Sequence, residues 1–554
     1  MTAEPTPNGP VSERPDPQVL DVDVLVLGGG PAGAWAAVSA AESGASVALA
    51  DKGYCGSSGA TASGGNNLWL VPPGPGREQS IRKREVDGAF LTDVTWMERV
   101  LETTWQRTGD LSRWGYPFPT DDAGVERRSS LQGPEYMRRM RRKVHRSGVR
   151  ILDHHPALEL LADSDGVVVG AAGVARQDGM RPWRVNAGAV VLATGGCAFL
   201  AGGYGTNVDT GDGLLMAAEA GAELSGMEFS TAYALSAEWG VHTKGLMLQF
   251  ASYYDEHGQP LVLPDGVPGR VAASQLLARG VRVFTRLDQA PPHLHAAMRQ
   301  AQPNYFVPLE KAGVNPFTDR YPLRMVYEGT VRGTGGLRVV SDDCATTVPG
   351  LFAAGDAATR ELITGAISGG GSHNGAWAIS SGTYAGRGAA AFARSSAGRA
   401  EVGRPLGQAG LRPSAHHDEA LTAQEVISTA QQHILPPMRS YYRDGDVLRS
   451  SRQQLETTWH DSTAHLAGSG RGVLTARQAA SLVAHARWIT ASALTRQESR
   501  GMHRRLDAPE ADPGLDHRLL VGGLDRVWTR PDPRPPSLLG AVPEQQSLLR
   551  KKAS

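Results

Sequence analysis

Cysteine is scarce, net charge is absent and no long apolar run occurs, and each lack closes off a class of proteins. Cys55, Cys197 and Cys344 are the three cysteines of 554 residues and lie far apart in sequence. They exclude a disulfide framework, a CxxC redox pair and a complete iron–sulfur ligand set, and a reducing cytoplasm is the expected setting. Basic and acidic residues both number 56, so no global field draws the chain to nucleic acid or to an anionic membrane. No stretch reaches the ~18 consecutive apolar residues of a membrane span. The opening "MTAEPTPNGPVSERPDPQ" has no apolar signal core, and residues 1–19 are expected to be a disordered arm. No P-loop or G-x-S-x-G element is present, which leaves phosphoryl and acyl transfer unsupported. Histidines such as His154, His155 and His242 show no metal-ligand spacing, and no metal is expected.

What is present begins at Val22 with "VDVLVLGGGPAGAWAAVSAAESGASVALADKG". An apolar strand enters a glycine-rich turn, a helix of small residues follows, and a second strand ends on Asp51 and Lys52. Gly28, Gly30 and Gly33 form G-x-G-x-x-G, with Pro31 and Ala32 at the helix start. The first glycine permits the tight turn, the second lets backbone approach a pyrophosphate, and the third lets helix pack on strand. A carboxylate at Asp51 can accept ribose hydroxyls. Three later turns bring small residues and acids to strand ends: Ala193, Thr194 and Gly195 in "ATGG", Asp212 in "TGDG", and Gly355 and Asp356 in "PGLFAAGDAA". Together they predict a cradle for a long, extended dinucleotide.

The fold class read from this order is α/β, with a Rossmann-like nucleotide domain in two parts, 20–227 and 331–400. Between them, 228–330 is weakly periodic and turn-rich, as in an inserted domain. Residues 412–510 read as a helical domain and 511–554 as an extended surface tail. In "TARQAASLVAHARWITASALTRQESRG" Thr475 and Gln478 have capping-box spacing, and Leu482, Val483, Ala486, Ile489, Ala493 and Leu494 share one helical face.

Two further stretches carry a resemblance. "ALTRQESRGMHRRLDAP" contains Glu498, Ser499, Arg500, Gly501, His503, Arg505 and Asp507 in an ESRG-x-H-x-R-x-D-x-P pattern, and "SSGATASGGNN" spans Ser57 to Asn67. With "AISSGTYAGR" at Ala378 to Arg387, the chain resembles the family of fumarate reductase and succinate dehydrogenase flavoproteins, aspartate oxidase and the adenylylsulfate reductase large subunit. The resemblance implies FAD as cofactor, a cap formed by the inserted domain, and hydride transfer at flavin N5. It implies FAD contacts from Asp51, Asp212 and Asp356, and from Ser58, Gly59, Ala60, Thr61, Gly64 and Gly65 in the flavin loop. Ile379, Ser380 and Ser381 are implied to begin a helix beneath the flavin. Arg500, His503 and Arg505 are read as fastening the helical domain.

Departures from that family shape the functional expectation. Ser58 stands where succinate-type members link a histidine to FAD, so the flavin is expected to be non-covalent. Ser230 to Leu235 contain no histidine, Ser274 replaces an arginine, and His373 occupies the place of a carboxylate-binding arginine. The expected substrate is a small organic metabolite other than a simple dicarboxylate. His373 is a candidate proton carrier or a hydrogen-bonding spacer. Arg332 is read as an anion contact or a partner of Glu328, and Arg279 as a substrate contact or a pair within the cap. Tyr233, Tyr253 and Tyr254 line an aromatic pocket or pack the cap. A second reading makes the chain the flavin subunit of an adenylylsulfate-reductase-like complex with a ferredoxin-type partner, and a third makes it a non-catalytic flavin scaffold. Acid precipitation should release yellow FAD into the supernatant; colour retained in the washed pellet would contradict the loss of the linking histidine at Ser58.

Overall fold

The structure, a computed structural model, describes residues 17–243, 245–262, 267–368, 370–395, 403–415, 421–537 and 539. Most of the expected N-terminal arm and the end of the expected tail lie outside these residues. Gln18 and Val19, written into the arm, already belong to the first strand.

Among the described residues the main sheet has eight strands. In chain order they are β1 (Gln18–Leu27), β2 (Val47–Ala50), β3 (Arg150–Leu152), β4 (Ala157–Ala162), β5 (Val168–Ala175), β6 (Arg181–Leu192), β7 (Leu351–Ala353) and a short edge strand, Arg404–Pro405. β1 lies between β2 and β6 and runs parallel to both, and β3 extends the parallel set beyond β2. The other side of β6 is shared: β5 pairs with its first half antiparallel, and β7 with its last three residues in parallel. The burial of β1 follows from this layering. Its first six residues alternate in exposure, while Val24 to Leu27, paired with β2 on one side and β6 on the other, are buried completely. The expected α/β architecture is therefore present.

One covering helix is α1 (Pro31–Glu42), whose residues Ala32 to Ala40 are all buried. It packs against α2 (Gly370–Ser395) at backbone distance. A Cβ on Gly382 would fall 2.3 Å from the Ala32 carbonyl oxygen, and one on Gly386 would fall 2.2 Å from that of Ala36. Small residues at these two places bring the helices together.

The inserted segment forms a separate antiparallel sheet in the order Tyr233–Ala237, Tyr321–Tyr327, Phe284–Arg286, Ser252–Tyr254. Its core includes Leu287, Phe306, Leu309 and Tyr321. Tyr253 and Tyr254 are buried in this domain, and the Tyr233 hydroxyl donates to the Leu435 carbonyl at 3.0 Å, so all three pack or join elements.

The helical region contains α3 (Ala423–Ile434), α4 (Gly445–His465) and α5 (Gly472–Thr495). The capping box expected at Thr475 is not formed. The α5 helix starts at Gly472, straight after a glycine-rich turn, so Thr475 is already inside its first turn. A capping box occurs instead at α3, where Thr422 and Glu425 exchange hydrogen bonds of 3.3 and 2.9 Å. Nor does α5 bury one face only: residues from Ala476 to Ala493 are buried almost all round, because α3, α4 and the helix Asp212–Glu219 surround it. The segment expected as a surface tail is partly internal, since Leu519–Gly522 is a buried strand paired with Leu224–Ser225. Trp528–Pro531 is its outer neighbour.

The ESRG-type signature forms a buried ionic knot. Arg496 bridges Glu228 and Glu498 at 2.8 Å each, Arg500 meets Glu498 at 2.7 Å, and His503 Nε2 lies 2.9 Å from the Arg496 carbonyl. Burial and the Arg443 guanidinium push the His503 imidazole well below its usual range, so it is neutral there. Beside this knot, burial and then Glu228 raise the Glu361 carboxyl from 4.5 to about 8. A raised folded value means that the folded state holds the proton more tightly, so this carboxyl's contribution to stability is fully present below about 4.5 and is lost as the pH rises to about 8. Denaturant midpoints of the wild type should therefore fall more on going from mildly acid to alkaline buffer than those of Glu361→Gln; parallel declines would remove Glu361 from the account.

Candidate functional site

The register of the main sheet aligns four strand ends. Leu27 pairs with Ala50 on one side and with Leu192 on the other, and Leu192 pairs with Ala353. The chain leaves all four strands at one level, and a cleft opens above them. Its position at the carboxyl ends of parallel strands is the place where open α/β sheets bind ligands.

The three glycines of the β1–α1 turn have separable roles. Gly28 has φ +107, and a Cβ there would lie 2.2 Å from the Ala193 carbonyl oxygen, so turn and neighbouring strand end meet backbone to backbone. A Cβ on Gly33 would lie 1.8 Å from the Gly28 carbonyl oxygen. Gly30 differs, because a Cβ there would meet nothing within 4 Å. The protein's own packing does not require glycine at 30; the open space in front of it does. Gly59, Gly65 and Gly371, which also line the cleft, likewise face nothing within 4 Å. α1 begins at this point without a side-chain cap, so its first N–H groups face the same space and suit a phosphate. An elongated dinucleotide fits this cradle.

Most of the residues singled out in sequence line the cleft. They include Gly28, Gly30, Pro31 and Ala32 from the first turn, Asp51 and Lys52 after β2, and Ser58, Gly59, Ala60, Thr61 and Gly65 from the following loop. Ala193, Thr194 and Gly195 after β6, Asp212, and Gly355 and Asp356 after β7 complete the wall. Asp51 is not left waiting for ribose alone. Its carboxylate accepts the Gly29 N–H at 2.5 Å, the Gly53 N–H at 2.7 Å and the Ser58 hydroxyl at 2.9 Å. Lys52 donates to Thr210 and Asp212, both at 2.7 Å. Asp356 pairs with the buried Arg360, and burial outweighs that cation to raise its carboxyl above the ordinary value.

Several expectations are corrected. Gly33 lies beneath the turn, and Gly64 shapes the loop by accepting the Gly133 N–H at 2.9 Å; neither is among the residues lining the cleft. Ile379, Ser380 and Ser381 do not start a helix. The α2 helix starts nine residues earlier, at Gly370, so their N–H groups are spent inside it. Ser381 instead accepts the Gly355 N–H at 2.9 Å and holds the β7 turn from behind. Gly371, Asn374, Gly375 and Ala378 are the α2 residues that reach the cleft. Of the three catalytic candidates only Arg332 lines it, 3.7 Å from Glu328. His373 sits on the first turn of α2 and stacks on Trp69 with centroids 4.6 Å apart, with Ser372 Oγ 3.2 Å from its Nδ1. Arg279 is exposed at the end of the Gly269–Ala278 helix, over the Tyr442 ring, and is not a cleft residue.

Asp209 and Asn374 were missed. Asp209 stands just before the "TGDG" turn, where the acid chosen from sequence was Asp212; Asn374 adjoins the chosen His373. Gly30→Ala should leave the fold and apo melting temperature unchanged but weaken FAD binding by roughly tenfold, ~1.4 kcal/mol, in a fluorescence titration. Gly33→Ala should instead lose stability, and the reverse pattern would invalidate the division of roles.

Comparisons with known proteins agree with this geometry. Residues 23–233 match the model of the FAD binding domain, and residues 433–521 match that of the fumarate reductase flavoprotein C-terminus. An L-aspartate oxidase of Streptomyces coelicolor is 29% identical over 95% of this chain and 96% of its own length. One chain of a fumarate reductase (CoM/CoB) of Methanothermobacter marburgensis is 24% identical over 91% of this chain and 97% of its own length. Among solved structures, E. coli quinol fumarate reductase FrdA superposes with a TM-score of 0.78 at 20% identity, covering 95% of this chain and 98% of that one. An adenosine-5-phosphosulfate reductase superposes at 0.74 and 18%, covering 95% and 97%. The chain is an FAD-dependent oxidoreductase that carries an FAD binding domain and a fumarate reductase flavoprotein C-terminal domain, and it is similar over most of its length to fumarate reductase flavoproteins and aspartate oxidases.

Proposed function

We propose that this oxidoreductase acts on a small organic metabolite with no more than one carboxylate, rather than on a simple dicarboxylate. The charge lining the cleft carries this reading. Among the described residues that line it, the cations are Lys52 and Arg332, and Lys52 is already paired with Asp212. Two carboxylates taken out of water need two cationic or multiply donating partners. One arginine meets half of that requirement.

Arg332 would orient an anionic or carbonyl group of the substrate. Asn374 borders it: its amide donates to the Val331 carbonyl at 3.0 Å, while its Oδ1 is buried without a partner and is available to a donor on a ligand. Leu68, Leu131 and Val331 supply an apolar wall that excludes water. Bound FAD supplies the two-electron acceptor or donor. The three cysteines are buried singly, so an iron–sulfur relay would have to come from a partner chain, which keeps a ferredoxin-type partner as the second reading. Their free state also supports a cytoplasmic location.

Anaerobic screening of metabolites for flavin bleaching tests the proposal. Monocarboxylates or uncharged substrates should bleach the flavin, and Arg332→Gln should lower kcat/KM for any anionic one by roughly a hundredfold, ~2.7 kcal/mol. Turnover of succinate, fumarate or L-aspartate at an ordinary enzymatic rate would refute it.

A further inference from the structure

Among the described residues, four carboxylates line the cleft: Asp51, Asp209, Asp212 and Asp356. Three are engaged, Asp51 by two N–H groups and a hydroxyl, Asp212 by Lys52, and Asp356 by Arg360. Asp209 is not. It is 6% exposed, and its Oδ2 has no hydrogen-bond partner. Its placement is nevertheless rigid. Its N–H donates to the Thr206 carbonyl at 3.0 Å and its carbonyl accepts the Ala198 N–H at 2.8 Å, so the backbone is pinned on both sides. A Cβ on Gly195, at φ +80, would lie 2.6 Å from Asp209 Oδ1, so the neighbouring turn leaves room for this side chain.

An orphaned carboxyl oxygen at the wall of a binding cleft indicates a missing partner. The charge around it specifies what kind. Asp51 and Lys52 face Asp209 from the end of β2, Asp212 from the next turn of its own loop, and Asp356 from the turn after β7. Three acids and one already paired lysine surround it, and a dinucleotide adds the negative charge of its diphosphate. An ionised Asp209 would repel both. Burial first, then Asp356, hold its carboxyl well above the usual carboxylate range.

We propose that Asp209 is a cofactor-positioning residue that keeps its proton and donates its O–H to an oxygen acceptor of the bound dinucleotide. This rests on the FAD assignment. It makes one of the four acids a donor to the ligand, and it predicts that an amide, which also donates, can replace it.

The apo chain is titrated with FAD by flavin fluorescence, with folding of each variant confirmed by circular dichroism. Near neutral pH, Asp209→Asn should bind FAD within about twofold of wild type, and Asp209→Ala about tenfold more weakly, the worth of one hydrogen bond. In alkaline buffer the wild type should weaken as the carboxyl ionises, while the Asn variant should not. The infrared difference spectrum between FAD-bound wild type and FAD-bound Asp209→Asn should show the carbonyl stretch of a protonated carboxyl. Ala binding as tightly as wild type, Asn as weak as Ala, coincident pH profiles, or no such infrared band would each overturn the proposal. The last two decide it even if the Ala variant does not fold. Wild type that takes up no FAD would overturn the cofactor assignment itself, an outcome distinct from all of these.

Discussion

The close approach of Gly28 to the Ala193 carbonyl is the contact on which the site depends. It ties the end of β1 to the end of β6, which fixes the level at which four strands release their turns. Any side chain at 28 would separate the two ends, and the glycine, acidic and small-residue turns would no longer face one space. Gly33 transmits the same constraint to α1, whose open N-terminus then points into the cleft.

Support for this arrangement comes from far along the chain. The α2 helix presses on α1 through Gly382 and Gly386, and its Ser381 hydroxyl holds the Gly355 N–H, so the same helix braces the first and last turns of the cradle. α5 runs behind the "TGDG" turn, where Ser481 donates to the Thr210 carbonyl at 2.8 Å and His485 packs against Gly211. Burial lowers that histidine to about 4, so it stays neutral and adds no charge behind an acidic wall. The buried knot of Arg496, Glu228 and Glu498 joins the helical region to the element that leads into the cap. Removing one partner from such a group costs several kcal/mol, because a buried charge is left uncompensated.

The electrostatics of the cleft are those of an acidic wall receiving an anionic ligand. Three of its carboxylates are matched by Lys52, Arg360 or donated N–H and O–H groups, and proton retention is the remaining way to accommodate the fourth. Cationic capacity beyond this is small, which is why Arg332 dominates the reading of the substrate.

What the sequence determined by itself is the part governed by local stereochemistry. The run from Val22 to Asp51 shows strand, turn, helix and strand because glycine spacing and apolar periodicity act over a few residues, and the later turns at Ala193, Asp212 and Asp356 were recognisable for the same reason. Only the tertiary structure decided where a helix starts when the neighbouring chain is rich in glycine. The family resemblance implies a helix start at Ile379 to Ser381, yet helix propagation from Gly370 buries them, and Thr475 yields its capping role to the earlier start at Gly472. The same holds for side chains: His373 turns to stack on Trp69, Arg279 ends at the surface over Tyr442, and the unnoticed Asp209 faces the cleft. Where a side chain points depends on the space left by residues hundreds of positions away, and no local pattern carries that information.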